Sequence, residues 1–246
     1  MPICWSEHVF LYCERGRDAA FWAEPLNALS NGAFLLAAAV AAARLWRGAR
    51  TGSALRGQNP VLWGLIGLVA TIGVGSFLFH TYATRWAMLA DVVPITVFMV
   101  AYLAYALRVF LGIGWLAIAG LVALFLLAGQ AAAGITCGPQ APGELTKACL
   151  NGSLGYAPAL VSLWAIGLVA RQRGLDTGGP LLAGGVLFLV AATLRTVDPE
   201  VCDATHLLGH PRGTHALWHL LNAVMLYLLL RCAIDHGGPH DREGNA

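Results

Sequence analysis

The sequence predicts an all-α integral membrane protein, a bundle of seven transmembrane helices, on three observations. Of its 246 residues, 58% are hydrophobic and only 11% are charged, more apolar surface than a water-facing domain can hide. Seven apolar stretches each reach or approach the roughly 17 to 25 residues that cross a bilayer. These stretches are continuous, whereas the strands of a membrane barrel alternate over about ten residues.

In chain order the expected spans run from Pro25 to Trp46, Pro60 to His80, Trp86 to Leu107, Ile113 to Gly134, Leu150 to Ala170, Pro180 to Thr196 and His215 to Cys232. The sixth is the shortest and is rich in glycine, but omitting it would leave two charged loops on opposite sides of the membrane. The first twenty residues carry Glu7, Glu14, Arg15, Arg17 and Asp18 with no apolar core. No cleavable signal peptide is therefore expected, and insertion starts with the first span. Residues 1–234 read as one domain and 235–246 as a disordered tail.

Orientation follows from the basic residues. Arg44, Arg47, Arg50 and Arg56 crowd the first connection, Arg108 the third, and Arg171 and Arg173 the fifth; with Arg231 and Arg242, nine fall on one side and six on the other. The positive-inside rule places the nine in the cytoplasm, the N-terminus outside and the C-terminus inside. The net charge of +2 is scattered, which leaves no nucleic-acid footprint. Cys4, Cys13, Cys137, Cys149 and Cys202 then lie on the outer side, where disulfides survive. Sequence alone does not fix connectivity; the expected pairs are Cys13 with Cys202 and Cys137 with Cys149, with unpaired thiols as the alternative.

An ionisable side chain inside a span costs roughly 2.5 to 3.5 kcal/mol on insertion scales, so the few that persist face the bundle interior and act there. The candidates are Ser76 and His80 at the end of the second span, Asp91 early in the third, and His215 and His219 at the start of the seventh. With alternating span direction, all five meet at one depth in the outer leaflet. Both Ser76/His80 and His215/His219 are i,i+4 pairs, which share a helix face. Two stacked imidazoles with a third from a neighbouring helix form the ligand set of a catalytic zinc with an open position, while interhelical hydrogen bonding by single histidines is the plainer alternative. Asp91 is either a partner for a histidine N–H or a general base. Ser76 either hydrogen-bonds water or a substrate carbonyl, or bonds back to its own helix. His206, His210, Asp198 and Asp203 in the outer loops are expected in solvent.

Taken together, these residues resemble the alkaline ceramidase family, within the seven-span group that also holds the progestin and adiponectin receptors. The resemblance rests on Glu24, Asn27, Ser30 and Asn31 in EPLNALSN, Ser76 and His80 in SFLFH, Asp91, and His215, Trp218 and His219 in HALWH. Cys13 and Cys202 also resemble that family's outer-side disulfide. It implies a membrane-embedded zinc hydrolase of the outer, periplasmic or lumenal face, with zinc on His80, His215 and His219, chemistry assisted by Asp91 and Ser76, and a ceramide-like N-acyl lipid cleaved to a fatty acid and a sphingoid base. It further implies a calcium site in the N-terminal segment. Glu14 and Glu24 match that site, Leu11 and Gly16 stand where oxygen ligands are expected, and Asp18 or backbone carbonyls are left to fill in.

Three other readings compete: a metal hydrolase of a different acyl lipid, a lipid-sensing receptor with a structural metal, and a cofactor protein. A retinal protein is excluded, because Lys147, the only lysine, falls in a loop. Haem on two helices would leave Asp91 and Ser76 beside the histidines unexplained.

Overall fold

The computed structural model describes residues 4–50, 59–137, 148–207 and 209–237. Arg56, Lys147, Arg242 and residues 238–246 of the expected tail lie outside the described residues. Among those described, seven helical spans are long and apolar enough to cross a membrane. Span one comprises α1 (Pro25–Ser30) and α2 (Gly32–Arg50); α3 (Pro60–Tyr82), α4 (Arg85–Val109) and α5 (Trp115–Ala133) are the next three. Span five joins a 3₁₀ segment (Cys149–Tyr156) to α6 (Ala157–Gln172), and α7 (Gly178–Val197) and α8 (His215–His236) complete the bundle. Between α7 and α8 lie a short 3₁₀ turn (Cys202–Ala204) and a two-residue hairpin, β1 (His206–Leu207) with β2 (His210–Pro211). Leu36, Leu116 and Leu127 stand 66%, 90% and 69% exposed, a surface that only lipid can solvate.

Helix α8 packs against α1, α2, α3 and α7 and is the most enclosed span, whereas α5 is peripheral. The two histidines at the start of α8 are therefore central. At the opposite end, Arg44 of α2 donates two hydrogen bonds to Asp235, so α8 continues as paired helix past the expected start of the tail. α7 reaches 20 residues, long enough to span. The fifth span departs from expectation: Leu150, Asn151 and Gly152 have positive φ, and regular α-helix begins only at Ala157, where Pro158 suits the first turn. Two disulfides, Cys13–Cys202 and Cys137–Cys149, staple the loops of the histidine end.

Two local breaks in regular helix shape this end. In α1 the Ser30 hydroxyl and the Asn31 side-chain amide both donate to the Asn27 carbonyl, while the Asn31 N–H turns to Ala28, so the helix is interrupted before α2. In α4, Pro94 has no N–H for the carbonyl of Ala90. That carbonyl abuts Gly75 of α3, where a Cβ would lie 1.9 Å from the Ala90 oxygen. Close approach of α3 and α4 thus depends on glycine next to Ser76 and on proline one turn after Asp91.

Gly75→Ala should destabilise the protein by about 1 to 3 kcal/mol through overpacking. Gly64→Ala, at a site with open space around it, should be neutral or slightly stabilising. Thermal unfolding of both variants in detergent checks this, and equal Tm values for the two would contradict the close-packing account.

Candidate metal centre

Three histidines from two helices converge at the end of the bundle that carries the disulfides. His80 ends α3, and His215 and His219 lie one turn apart at the start of α8; all three are at most 2% exposed. Their ring centroids are 5.1 Å (His80–His215), 4.8 Å (His80–His219) and 4.6 Å (His215–His219) apart. One nitrogen from each lies within 4.8 Å of the other two, and this is the one such group of His, Cys, Asp or Glu side chains among the described residues.

The backs of the rings are held by other elements. Glu24, the residue before α1, accepts from His80 Nδ1 at 2.5 Å, and Ser30 Oγ lies 2.8 Å from His219 Nδ1. Fixing Nδ1 leaves Nε2 to face inward, and the Nε2 of His80 is buried with no hydrogen-bond partner. His215 is positioned through its backbone: its N–H and that of Thr214 donate to Asp198 Oδ1, and Asp198 Oδ2 accepts from the Cys13 N–H. The Tyr12 ring stacks on His215 with centroids 3.6 Å apart. Three clustered imidazoles, with His80 Nε2 and His215 Nδ1 both buried and unpartnered, form a donor set that fits a divalent transition metal, zinc among them.

Beside the cluster is a small polar pocket bordered by Tyr12, Ser76, Asp91, Arg195, His215 and His219. Asp91 Oδ1 is buried there without a partner, and Ser76 interacts with the Asp91 carboxylate. Arg195 of α7 lies over the rings of Tyr12, Tyr156 and Trp218, and its Nη1 donates to Asn151 O and Ser153 Oγ at the start of the fifth span. A larger apolar cavity adjoins the pocket, sharing Phe34, Ile72, Ile95, Tyr156 and Trp218 with it and running between the helices past Phe98 and Leu229. A polar pocket beside the three histidines thus borders an oily interior across shared walls.

A family model described as Ceramidase matches residues 11–235, nearly the whole chain. The chain belongs to the ceramidase family. The match places the chain in a family of ceramide hydrolases, and the comparison with curated proteins finds no match.

Of the residues expected from sequence, the fold gathers Ser76, Asp91, His215 and His219 at one pocket, with His80 packed against the two histidines. Glu14 and Glu24 lie behind it, and neither is arranged to hold calcium. Glu14 accepts from the N–H groups of Leu26 and Asn27 and from Arg212, while Glu24 accepts from Arg15, His80 and Asn27. Their oxygens are taken by donors, two of them guanidinium groups, where calcium needs six to eight free oxygens.

Asp198 corrects an expectation. It is fully buried rather than solvated, because it gathers three backbone N–H groups from two loops. Burial pushes its carboxyl above the ordinary aspartate range, with those three donors opposing the shift. His206, His210 and Asp203 are exposed as expected. Sequence reasoning also passes over Tyr12, Arg15 and Arg195. Arg195 was detectable, since it is a charge inside the sixth expected span and the same insertion cost applies to it; Tyr12 and Arg15 sit in a loop with no periodicity to read.

Asp198→Ala strands two buried N–H groups and a part-buried third and should cost about 3 kcal/mol. Thermal unfolding and metal content measured together check this; an unchanged Tm would mean that Asp198 does not hold the His215 turn.

Proposed function

We propose that this ceramidase is a zinc-dependent amidase that cleaves ceramide-like N-acyl lipids within the membrane into a free fatty acid and a sphingoid base. The observation that carries the reading is an adjacency: a three-histidine cluster beside a pocket holding Asp91 and Ser76, which borders an apolar cavity of a character that suits an acyl chain. His80, His215 and His219 would hold the metal. Zinc bound there supplies Lewis acidity toward the amide carbonyl and lowers the pKa of a bound water to about 7.

The chain's own residues do the rest. Glu24 and Ser30 occupy the Nδ1 positions of His80 and His219, which leaves Asp91 free for proton transfer rather than for orienting a histidine. Asp91 takes the proton of the attacking water as the new C–O bond forms at the amide carbon. It then delivers that proton to the amide nitrogen as the C–N bond breaks, releasing the amine of the sphingoid base. Ser76 steadies Asp91 and lies at hand for the developing oxyanion. Arg195, with its charge spread over three aromatic faces, supplies positive potential on the pocket wall facing that oxygen.

The distribution of basic residues supports placing the histidine end at the outer, periplasmic or lumenal face. There the amide of a ceramide, just below the headgroup layer, reaches the pocket while its chains remain in lipid or in the apolar cavity. The chain is on this reading a multi-pass enzyme whose substrate need not enter water.

Asp91→Asn should lower kcat for ceramide by about 10²- to 10⁴-fold while leaving the metal bound. Fatty acid release from a ceramide and from its ester analogue, by purified wild type and variant, tests this. Saturable ceramide binding without turnover by the wild type would point to a receptor, and turnover of the ester alone to another acyl-lipid hydrolase; either result would overturn the assignment.

A further inference from the structure

The Arg15 side chain is completely buried, and each of its five N–H donors meets an acceptor. Nε donates to Glu24 Oε1 at 2.5 Å, Nη1 to the carbonyls of Asp18 and Ala20 at 2.9 Å each, and Nη2 to the carbonyls of His80 and Thr81 at 2.8 and 3.1 Å. A carboxylate and four backbone carbonyls, converging from the N-terminal loop and from the last turn of α3, form the type of oxygen shell that a hard cation selects. Here a guanidinium fills it. The following residue, Gly16, has φ of +58°, and its left-handed turn brings the loop back so that Asp18 and Ala20 face Arg15.

Charge gives the same answer. Arg15 balances Glu24, and Arg212 pairs with Glu14 at 2.9 Å, so the two acidic residues expected to bind calcium are each neutralised within the protein. The backbone carbonyls that might have completed a calcium site are the ones Arg15 uses.

We propose that the Arg15 guanidinium is a built-in cation standing in the structural place of calcium, ordering the N-terminal loop against α3 and holding Glu24 behind His80 with no divalent ion. Arg15 is then a positioning residue for His80. Its charge is permanent, and because it is covalently attached it cannot be diluted or chelated away.

The test is thermal unfolding of the full chain in detergent micelles, with a calcium chelator and with millimolar calcium. Melting is read without substrate, so the outcome does not depend on which lipid is hydrolysed. Wild-type curves should superimpose. Calcium bound at a hundred times its Kd would instead raise Tm by roughly 5 to 10 °C, and a rise of that kind would overturn the proposal. In a second arm, Arg15→Ala should melt lower in chelator, and low millimolar guanidinium ion should restore part of the loss. An unchanged Tm in this variant, or a loss that guanidinium does not recover, would also overturn it. Should the variant not fold, the wild-type arm decides.

Discussion

The carboxylate of Glu24 is the interaction on which the histidine end depends. One of its oxygens accepts from Arg15 and the other from His80 Nδ1 and the Asn27 side chain. That single group, 3% exposed, joins the N-terminal loop, the start of the first span and the end of the second. A carboxylate buried to this degree is tolerable only with its charge matched and its lone pairs filled, and Arg15 supplies the match. Glu24 thereby fixes the orientation of the His80 ring through Nδ1 and leaves Nε2 facing the other two histidines. Asp198 plays the equivalent part for His215 through backbone N–H groups, and the Cys13–Cys202 disulfide binds the same two loops covalently. Each histidine therefore has a separate anchor: Glu24 for His80, Asp198 for the His215 backbone and Ser30 for His219.

Departures from regular helix are concentrated where the chemistry is. The Asn27 carbonyl is given up by its helix to Ser30 and Asn31, and Ser30 then reaches His219. Pro94 frees the Ala90 carbonyl, Gly75 accommodates it, and Ser76 and Asp91 come together on either side of that contact. In a membrane such breaks are tolerated where protein rather than lipid surrounds the backbone. The remote half of the bundle is, by contrast, regular and apolar, with buried tyrosines 102 and 105 donating to the carbonyls of Leu229 and Ala233.

Much of this was legible in the sequence because membranes make polar residues conspicuous. Hydropathy located all seven spans to within a few residues, and alternating direction brought His80, Asp91, His215 and His219 to one depth. Less visible was everything that relies on loops. Asp198 looks like a solvated loop acid until three N–H groups from distant positions are found on it. Arg15 looks like one charge among several in an N-terminal segment, and only the fold shows its five acceptors. The non-helical start of the fifth span carried a readable signal in the Asn151-Gly152 dipeptide, which favours positive φ, while Leu150 before it gives none. Arg195 is a different case, for its place inside an apolar stretch made it as readable as Asp91.

The central claim is that three histidines hold a catalytic zinc at the mouth of an acyl chamber. The most direct measurement is metal content and fatty acid release from ceramide on one detergent-purified sample, for the wild type and for His215→Ala. The account predicts near-stoichiometric zinc and turnover in the wild type, and loss of both in the variant. Turnover by metal-free wild type, or a variant that keeps its zinc and its rate, would contradict it.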